Sequence, residues 1–291
     1  MTPVILLHHN EPIFLEKCIN SIEKNTKNSF EIIIVDNKSS DQNIKILKKK
    51  FVKKYKLIFN QKDNWVYGFN LGINSIKYSW DRIVLSDSDI IFKKTKKGVC
   101  WLKYVHEQLD KYPVIGKLGI SLDTNILKKK KILQKILIRE KRYQNSFNIG
   151  DNIVAPTDTT AAIYRKDLFI TEKFKMQLGH TSLIKPYYYS CRTGKKLECI
   201  HMGWSKYLKM ISNKESIDEI KDKAWFFCKF NRPIEEPLLK QLNFFERNLI
   251  ILLAKFFFKP KITVFFLLCW VTYIIKHFPL NYNEIQRKNN F

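Results

Sequence analysis

Two carboxylates, Asp87 and Asp89, flank a single serine at the end of a short apolar run, Arg82-Ile83-Val84-Leu85-Ser86, and a second apolar pair, Ile90-Ile91, follows. A short apolar run bounded by polar residues predicts a buried strand. Acidic groups at the carboxyl end of such a strand face the crevice where α/β sheets hold ligands. Leaving two carboxylates there without a counter-charge is costly. A divalent cation shared with phosphate oxygens satisfies them, since Mg²⁺ is typically held by one or two carboxylates plus substrate phosphates. Asp and Ser are also common in plain turns, so the position of the triplet after a fourth strand carries most of its meaning.

The elements that must position these groups can be read from the spacing of apolar residues. Val4 to Leu7 predicts a first strand, followed by His8, His9, Asn10, Glu11 and Pro12. The spacing of Phe14, Cys18, Ile19 and Ile22 predicts a helix over 14–25. Phe30 to Val35 is a second strand, closed by Asp36, and Ser39, Ser40 and Asp41 can cap a helix carrying Ile44, Leu47 and Phe51. Leu57 to Phe59 is a third strand, Phe69 to Tyr78 a helical stretch, and Arg82 to Ser86 the fourth strand. Such alternation predicts βαβ units and a mostly parallel sheet, with Asp36 and Asp87 on one edge. Asp36 has a plainer reading as a turn cap. His8 and His9 lie on the same edge and receive no role. Neither GxGxxG nor GxxxxGK[ST] occurs, which disfavours a dinucleotide enzyme and a P-loop NTPase.

The chain has 291 residues, 45% of them hydrophobic, with 52 Lys and Arg against 27 Asp and Glu, for a formal charge of +25. That excess calls for a polyanion: nucleic acid, anionic lipid or a phosphorylated substrate. No aromatic-basic pattern of a nucleic-acid module is present, so nucleic acid is the least favoured. The six cysteines form no CxxC pair, which gives neither a zinc site nor a disulfide framework and suits a reducing compartment. The N-terminus enters a strand pattern at once, and no signal peptide is expected.

Four stretches in order, ILLHHNEPIFLEKCINSI, EIIIVDNKSSD, NWVYGFNLGIN and DRIVLSDSDIIF, lie within residues 3–92. Together they resemble the GT-A-type nucleotide-sugar glycosyltransferases, close to the family 2 group. The resemblance implies an α/β, Rossmann-like sheet flanked by helices. It implies that Asp36 hydrogen-bonds the donor base, usually uracil or thymine. Asn64, Gly68 and Asn70 would line the nucleotide, and Asp87 and Asp89 would hold Mn²⁺ or Mg²⁺, Asp89 more directly. The family often carries Arg or Lys in the glycine-asparagine segment, where this chain has Tyr67 and Phe69. The chemistry agrees: a cation stabilises the charge growing on a nucleoside-diphosphate leaving group. The attacking hydroxyl needs a base within about 2.6–3.2 Å.

In the middle, a helix is predicted over 101–112, a strand over 114–122, and a basic helix from Lys128 through Arg142 with the stripe Ile132, Leu133, Ile136 and Leu137. That helix fits an anionic membrane surface or an ordinary solvated face on a lysine-rich protein. Asp158 stands alone among small and hydroxyl residues (Ala155 to Arg165) and is the candidate general base, with Asp151 the runner-up and loop-holding the plainer role. His201 ends an apolar run; related transferases place a late histidine on the metal, and imidazole suits transition ions such as Mn²⁺. A structural histidine is the competing reading. Trp204 is a candidate to stack on a sugar, or else packs a core. His180 sits in an expected loop and is a weak candidate for contact with acceptor or diphosphate.

Composition changes near Phe244. The uncharged run Ile262 to Ile275 has fourteen residues, short of the about 20 that span a bilayer. Two surface or shallow helices joined at Pro260 are expected, with Lys255, Lys259, Lys261, Lys276 and His277 facing anionic headgroups. A homo-oligomer interface, a core helix or a membrane hairpin are the other readings. The expected division is a GT-A catalytic domain over 1–243 (nucleotide half 1–92, acceptor half 93–243) and a membrane-associating tail over 244–291. The expected activity is transfer, with inversion, from a UDP-sugar to a lipid-linked or cell-surface glycan (lipopolysaccharide, lipooligosaccharide or capsule) at the cytoplasmic face of a bacterial inner membrane. A sugar nucleotidyltransferase is disfavoured, because His8 to Pro12 replaces a glycine-rich loop. A non-enzymatic basic membrane- or nucleic-acid-binding protein is the third reading.

Overall fold

The structure is a computed structural model, and it describes residues 1–128, 133–144, 146–157, 160–166, 184–185, 188–205, 217–229, 239–261, 263–264, 267 and 271. Residues up to 202 form one compact unit and 203–272 a second.

The first unit is built on β1 (Thr2–His8), β2 (Phe30–Asn37), β3 (Lys56–Asn60), β4 (Arg82–Asp87), β6 (Ile115–Gly119), β10 (Ala161–Arg165) and β12 (Tyr188–Thr193), adjacent in the order β3-β2-β1-β4-β10-β6-β12. β10 runs antiparallel to both β4 and β6. β6 and β12 therefore point the same way as β1 to β4, and their carboxyl ends share one edge. The sheet is mostly parallel, as expected, with β10 reversed inside it. That reversal is invisible in sequence, because Ala161 to Tyr164 are all buried and a doubly covered strand reads alike in either direction.

Alternation along the strands divides the core between two faces. Val4, Leu6, Ile32, Ile34 and Val84 belong to the cluster with α1 (Pro12–Asn25) and α4 (Trp101–Lys111). Ile5, Ile33, Val35, Ile83 and Leu85 belong to the cluster with Phe69 and Ile73 of α3 (Phe69–Asn74). The basic stretch resolves as α5 (Asn125–Lys128) and α6 (Gln134–Tyr143). Leu133, Ile136 and Leu137 are buried, so the stripe serves the protein interior and the membrane reading of this helix is withdrawn; Ile132 lies outside the described residues.

His106 ties α4 to the sheet. Arg82 Nη1 donates to its Nδ1 at 3.1 Å, and its Nε2 lies 3.0 Å from Thr2 Oγ1. Burial first, then the Arg82 charge, lower its pKa to about 4. Unfolded His106 binds a proton below about 6.5 while the folded form does not. Stability should therefore be full above that value and decline as the pH falls toward 4. Urea unfolding at about pH 7 and about pH 5 is expected to show a lower midpoint in acid. His106→Gln, which can keep both hydrogen bonds, should shrink the difference; an equal drop in that variant would remove His106 as its source.

In the second unit, the helix Ile217–Lys229 buries Ile220, Ala224 and Cys228. It meets the terminal helix through Cys228 Sγ to the Ile250 carbonyl (3.3 Å) and Lys221 to Glu246 (2.8 Å). Asn243 caps the terminal helix by accepting from Glu246 N at 2.8 Å. That helix begins at Phe244–Leu253, widens into a π turn at Ala254–Phe258 and continues to Lys261. The break expected at Pro260 is absent. A proline ring crowds the carbonyl four residues back, here Phe256 inside the π turn, and a widened turn absorbs such a conflict. No helix among the described residues is long and apolar enough to cross a membrane.

Candidate metal centre

β4 ends at Asp87, and Ser88-Asp89 turns the chain into β5 (Ile90–Ile91). β5 pairs antiparallel with β13 (Glu198–His201), placing His201 opposite Ile90. Met202 N donates to the Asp89 carbonyl at 2.8 Å and locks that register. The long-range ladder thus delivers a histidine to the acidic turn. One ligand atom each from Asp87, Asp89 and His201 lie within 4.8 Å of one another, and His201 Nδ1 is 3.8 Å from Asp89 Oδ2. Ligands about 2.1 Å from an octahedral ion stand roughly 3.0 to 4.2 Å apart, so a small inward movement closes the site.

The donor set fits a divalent ion. Asp89 Oδ1 is buried and has no hydrogen-bond partner among the described residues. A carboxylate oxygen in that state is destabilising unless a cation meets it. Two carboxylates suit Mg²⁺ and Mn²⁺ alike, and the imidazole tilts the choice toward the transition ion.

Main-chain bonds hold the turn in place. Ser88 N donates to the Leu7 carbonyl at 3.1 Å, and Asp87 N to the Thr160 carbonyl at 3.2 Å. His8, which the sequence left without a role, adds a side-chain tie. It is fully buried, sits beside Asp36 in the β1–β2 ladder, and its Nδ1 lies 3.2 Å from Ser88 Oγ. Burial, with a smaller contribution from His9, lowers its pKa to about 3, so the ring is neutral near pH 7. His8→Ala should weaken Mn²⁺ binding roughly tenfold, the equivalent of one good hydrogen bond. Manganese titration followed by electron paramagnetic resonance, with circular dichroism to check the fold, measures this. An unchanged affinity would remove His8 from the support of the turn.

Asp36 is buried at the end of β2. Ser39 N donates to its Oδ2 at 3.0 Å and Ser39 Oγ to its Oδ1 at 2.5 Å. Beside it, Asn37 organises the next segment. Its Nδ2 donates to Asp63 Oδ1 at 2.5 Å, and its Oδ1 accepts from Asn60 Nδ2 at 3.0 Å and Asn64 N at 3.2 Å. A Cβ at Gly68 would meet Leu7 Cδ1 at 2.7 Å and Asn37 Oδ1 at 2.8 Å, so any larger residue there would have to displace these side chains, the Asn37 amide of the network among them. Asn70 carries a buried Oδ1 with no hydrogen-bond partner among the described residues. Asp36, Asn64 and Gly68 therefore surround one polar network on the edge that also bears Asp87.

Trp204 is buried and belongs to the second unit. Asp158 and His180 lie outside the described residues. Asp151 is exposed and paired with Lys196 at 2.6 Å. Sequence reasoning missed Asn37, Ser39 and Asp63, whose only signal was the density of polar residues after the second strand.

The family model described as glycosyl transferase family 2 matches residues 4–170. Among solved structures, a mannosyltransferase from Pyrobaculum calidifontis, in complex with GDP-Man and Mn²⁺, aligns at a TM-score of 0.51 and 10% identity, over 98% of this chain and 78% of its own. S. aureus TarS 1-349, in complex with UDP-GlcNAc, aligns at 0.45 and 17% identity, over 84% of this chain and 72% of its own. No curated protein matches the chain.

Proposed function

The chain belongs to glycosyl transferase family 2, and from that premise we propose a metal-dependent transfer of sugar from a UDP-sugar to a hydroxyl of a lipid-linked or cell-surface glycan, with inversion. The observation that carries the reading is the Asp87-Asp89-His201 cluster, with its buried Asp89 oxygen, at the carboxyl edge of β4. These three side chains would hold Mn²⁺, or Mg²⁺ in its place. A bound ion stabilises the charge that develops on the departing diphosphate. Asp36, fixed by Ser39, would orient the nucleobase, and Asn64, Gly68 and Asn70 would line the rest of the nucleotide. Asp158 is the proposed proton acceptor for the attacking hydroxyl. The Mn²⁺ and GDP-Man named with the Pyrobaculum calidifontis mannosyltransferase support a metal-and-nucleotide site on this fold.

The tail supports the acceptor half of the reading. Phe244, Phe256 and Phe257 are 84%, 67% and 56% exposed, and exposed Lys255, Lys259 and Lys261 lie among them. Large apolar groups left in water mark an interaction surface, and interleaved lysines select an anionic one. We place the enzyme peripherally on the cytoplasmic face of a bacterial inner membrane, where docking raises its encounter rate with a lipid-linked acceptor.

Turnover of a panel of UDP-, GDP- and dTDP-sugars, with and without Mn²⁺, tests the proposal. Metal-dependent hydrolysis or transfer from a UDP-sugar is expected. Preference for a dTDP-sugar would overturn the choice of UDP alone, and preference for a GDP-sugar the pyrimidine contact of Asp36 as well. Failure to bind or turn over any donor would overturn the activity.

A further inference from the structure

A cavity of about 390 Å³ lies apart from the acidic turn, within the first unit. Its walls are β7 (Ser121–Leu122), α6, the hairpin of β8 (Asn148–Ile149) and β9 (Asn152–Val154), and the ends of β12 and β13. Its volume is within the roughly 300–1,000 Å³ usual for small-ligand sites.

The cavity is built on fixed parts. Buried Glu140 and partly buried Arg192 form an ion pair at 2.5 Å, and the Tyr143 ring lies 4.5 Å from the guanidinium. Gly150, at φ +59°, turns the hairpin tip where a Cβ would overlap Tyr112 Oη.

Its charge is unlike that of the rest of the chain. Glu140, Asp151 and Glu198 face it against Arg192 and Lys195, and Lys196 offsets Asp151. The cavity is near neutral on a protein of charge +25. A phosphate or an anionic headgroup would find no excess of cations there. Leu122 and Ile153 are the aliphatic side chains among its described lining, too few to seat a lipid chain. Carboxylates, side-chain amides and hydroxyls with one aromatic ring are suited to a polyhydroxylated, uncharged ligand.

Position links the cavity to the reaction. Glu198 lies on the same strand as His201, three residues before it, or about 10 Å at ~3.3 Å per residue. We infer that this cavity binds a neutral or amino sugar of the acceptor glycan, one or more rings from the hydroxyl that is glycosylated. The inference rests on the glycosyl-acceptor reading above.

Two measurements separate this inference from that reading. The full-length protein is applied to an array of neutral, amino and anionic oligosaccharides, and Mn²⁺-dependent donor hydrolysis is measured without acceptor. Retention of at least one neutral or amino-sugar glycan is expected. Glu198→Gln and Asn148→Ala should each weaken retention roughly tenfold, the loss of a hydrogen bond or two, with donor hydrolysis within about twofold of the parent. The inference is overturned if only anionic glycans bind, if neither substitution alters retention, or if no glycan binds to a protein that hydrolyses donor. Absence of both donor binding and hydrolysis would count against the activity instead, while the array still reports on the cavity.

Discussion

Asp89→Asn is expected to lower kcat for sugar transfer by about 10²–10³, the scale seen when one charge-stabilising group is taken from a reacting centre. The substitution preserves shape and removes the charge. The Met202 bond to the Asp89 carbonyl is a backbone contact and should survive. The Asp89 oxygen that has no hydrogen-bond partner among the described residues is the atom most in need of a cation, so manganese affinity should fall together with kcat. Steady-state kinetics across Mn²⁺ concentrations, with circular dichroism as the control for folding, decide the matter. Near-parental activity at every metal concentration would exclude Asp89 as a ligand.

The second large effect lies in the tail. Changing Leu252, Phe256 and Phe257 together to serine should weaken binding to anionic vesicles by about 10²–10³, taking partial burial of three large apolar groups at the bilayer interface. All three are exposed, so the fold has little to lose by their replacement. Co-sedimentation with vesicles of phosphatidylglycerol and phosphatidylethanolamine measures the change. Lys255, Lys259 and Lys261 are exposed beside them, and binding should also weaken as salt rises. Undiminished binding by the triple variant would show that the terminal helix is not the anchor. A parent that ignores vesicles and forms a concentration-dependent dimer would assign the ridge to an interface between copies.

The parts of the site legible from sequence were those fixed by local pattern. Apolar runs ending in acids located β2 and β4, and with them Asp36, Asp87 and Asp89. His201 was different: its meeting with Asp89 depends on the pairing of β5 with β13, a contact no spacing rule supplies, and only the family resemblance suggested it. Ser39 was hidden by a competing role. Serines 39 and 40 both looked like helix caps, yet Ser40 does the capping while Ser39 holds the Asp36 carboxylate. His8 was opaque because a histidine at a strand end gives no sign of whether it is buried. The greasy stripe of the basic helix and the proline of the tail misled for one reason. Burial and helix continuity are decided by tertiary packing, which local propensity does not contain.

The most direct measurement is the manganese anomalous signal from crystals grown with MnCl₂ and UDP. One peak bounded by Asp87, Asp89 and His201, in contact with the diphosphate, is the predicted result. UDP bound with those three side chains turned away, or manganese seated elsewhere, would contradict it.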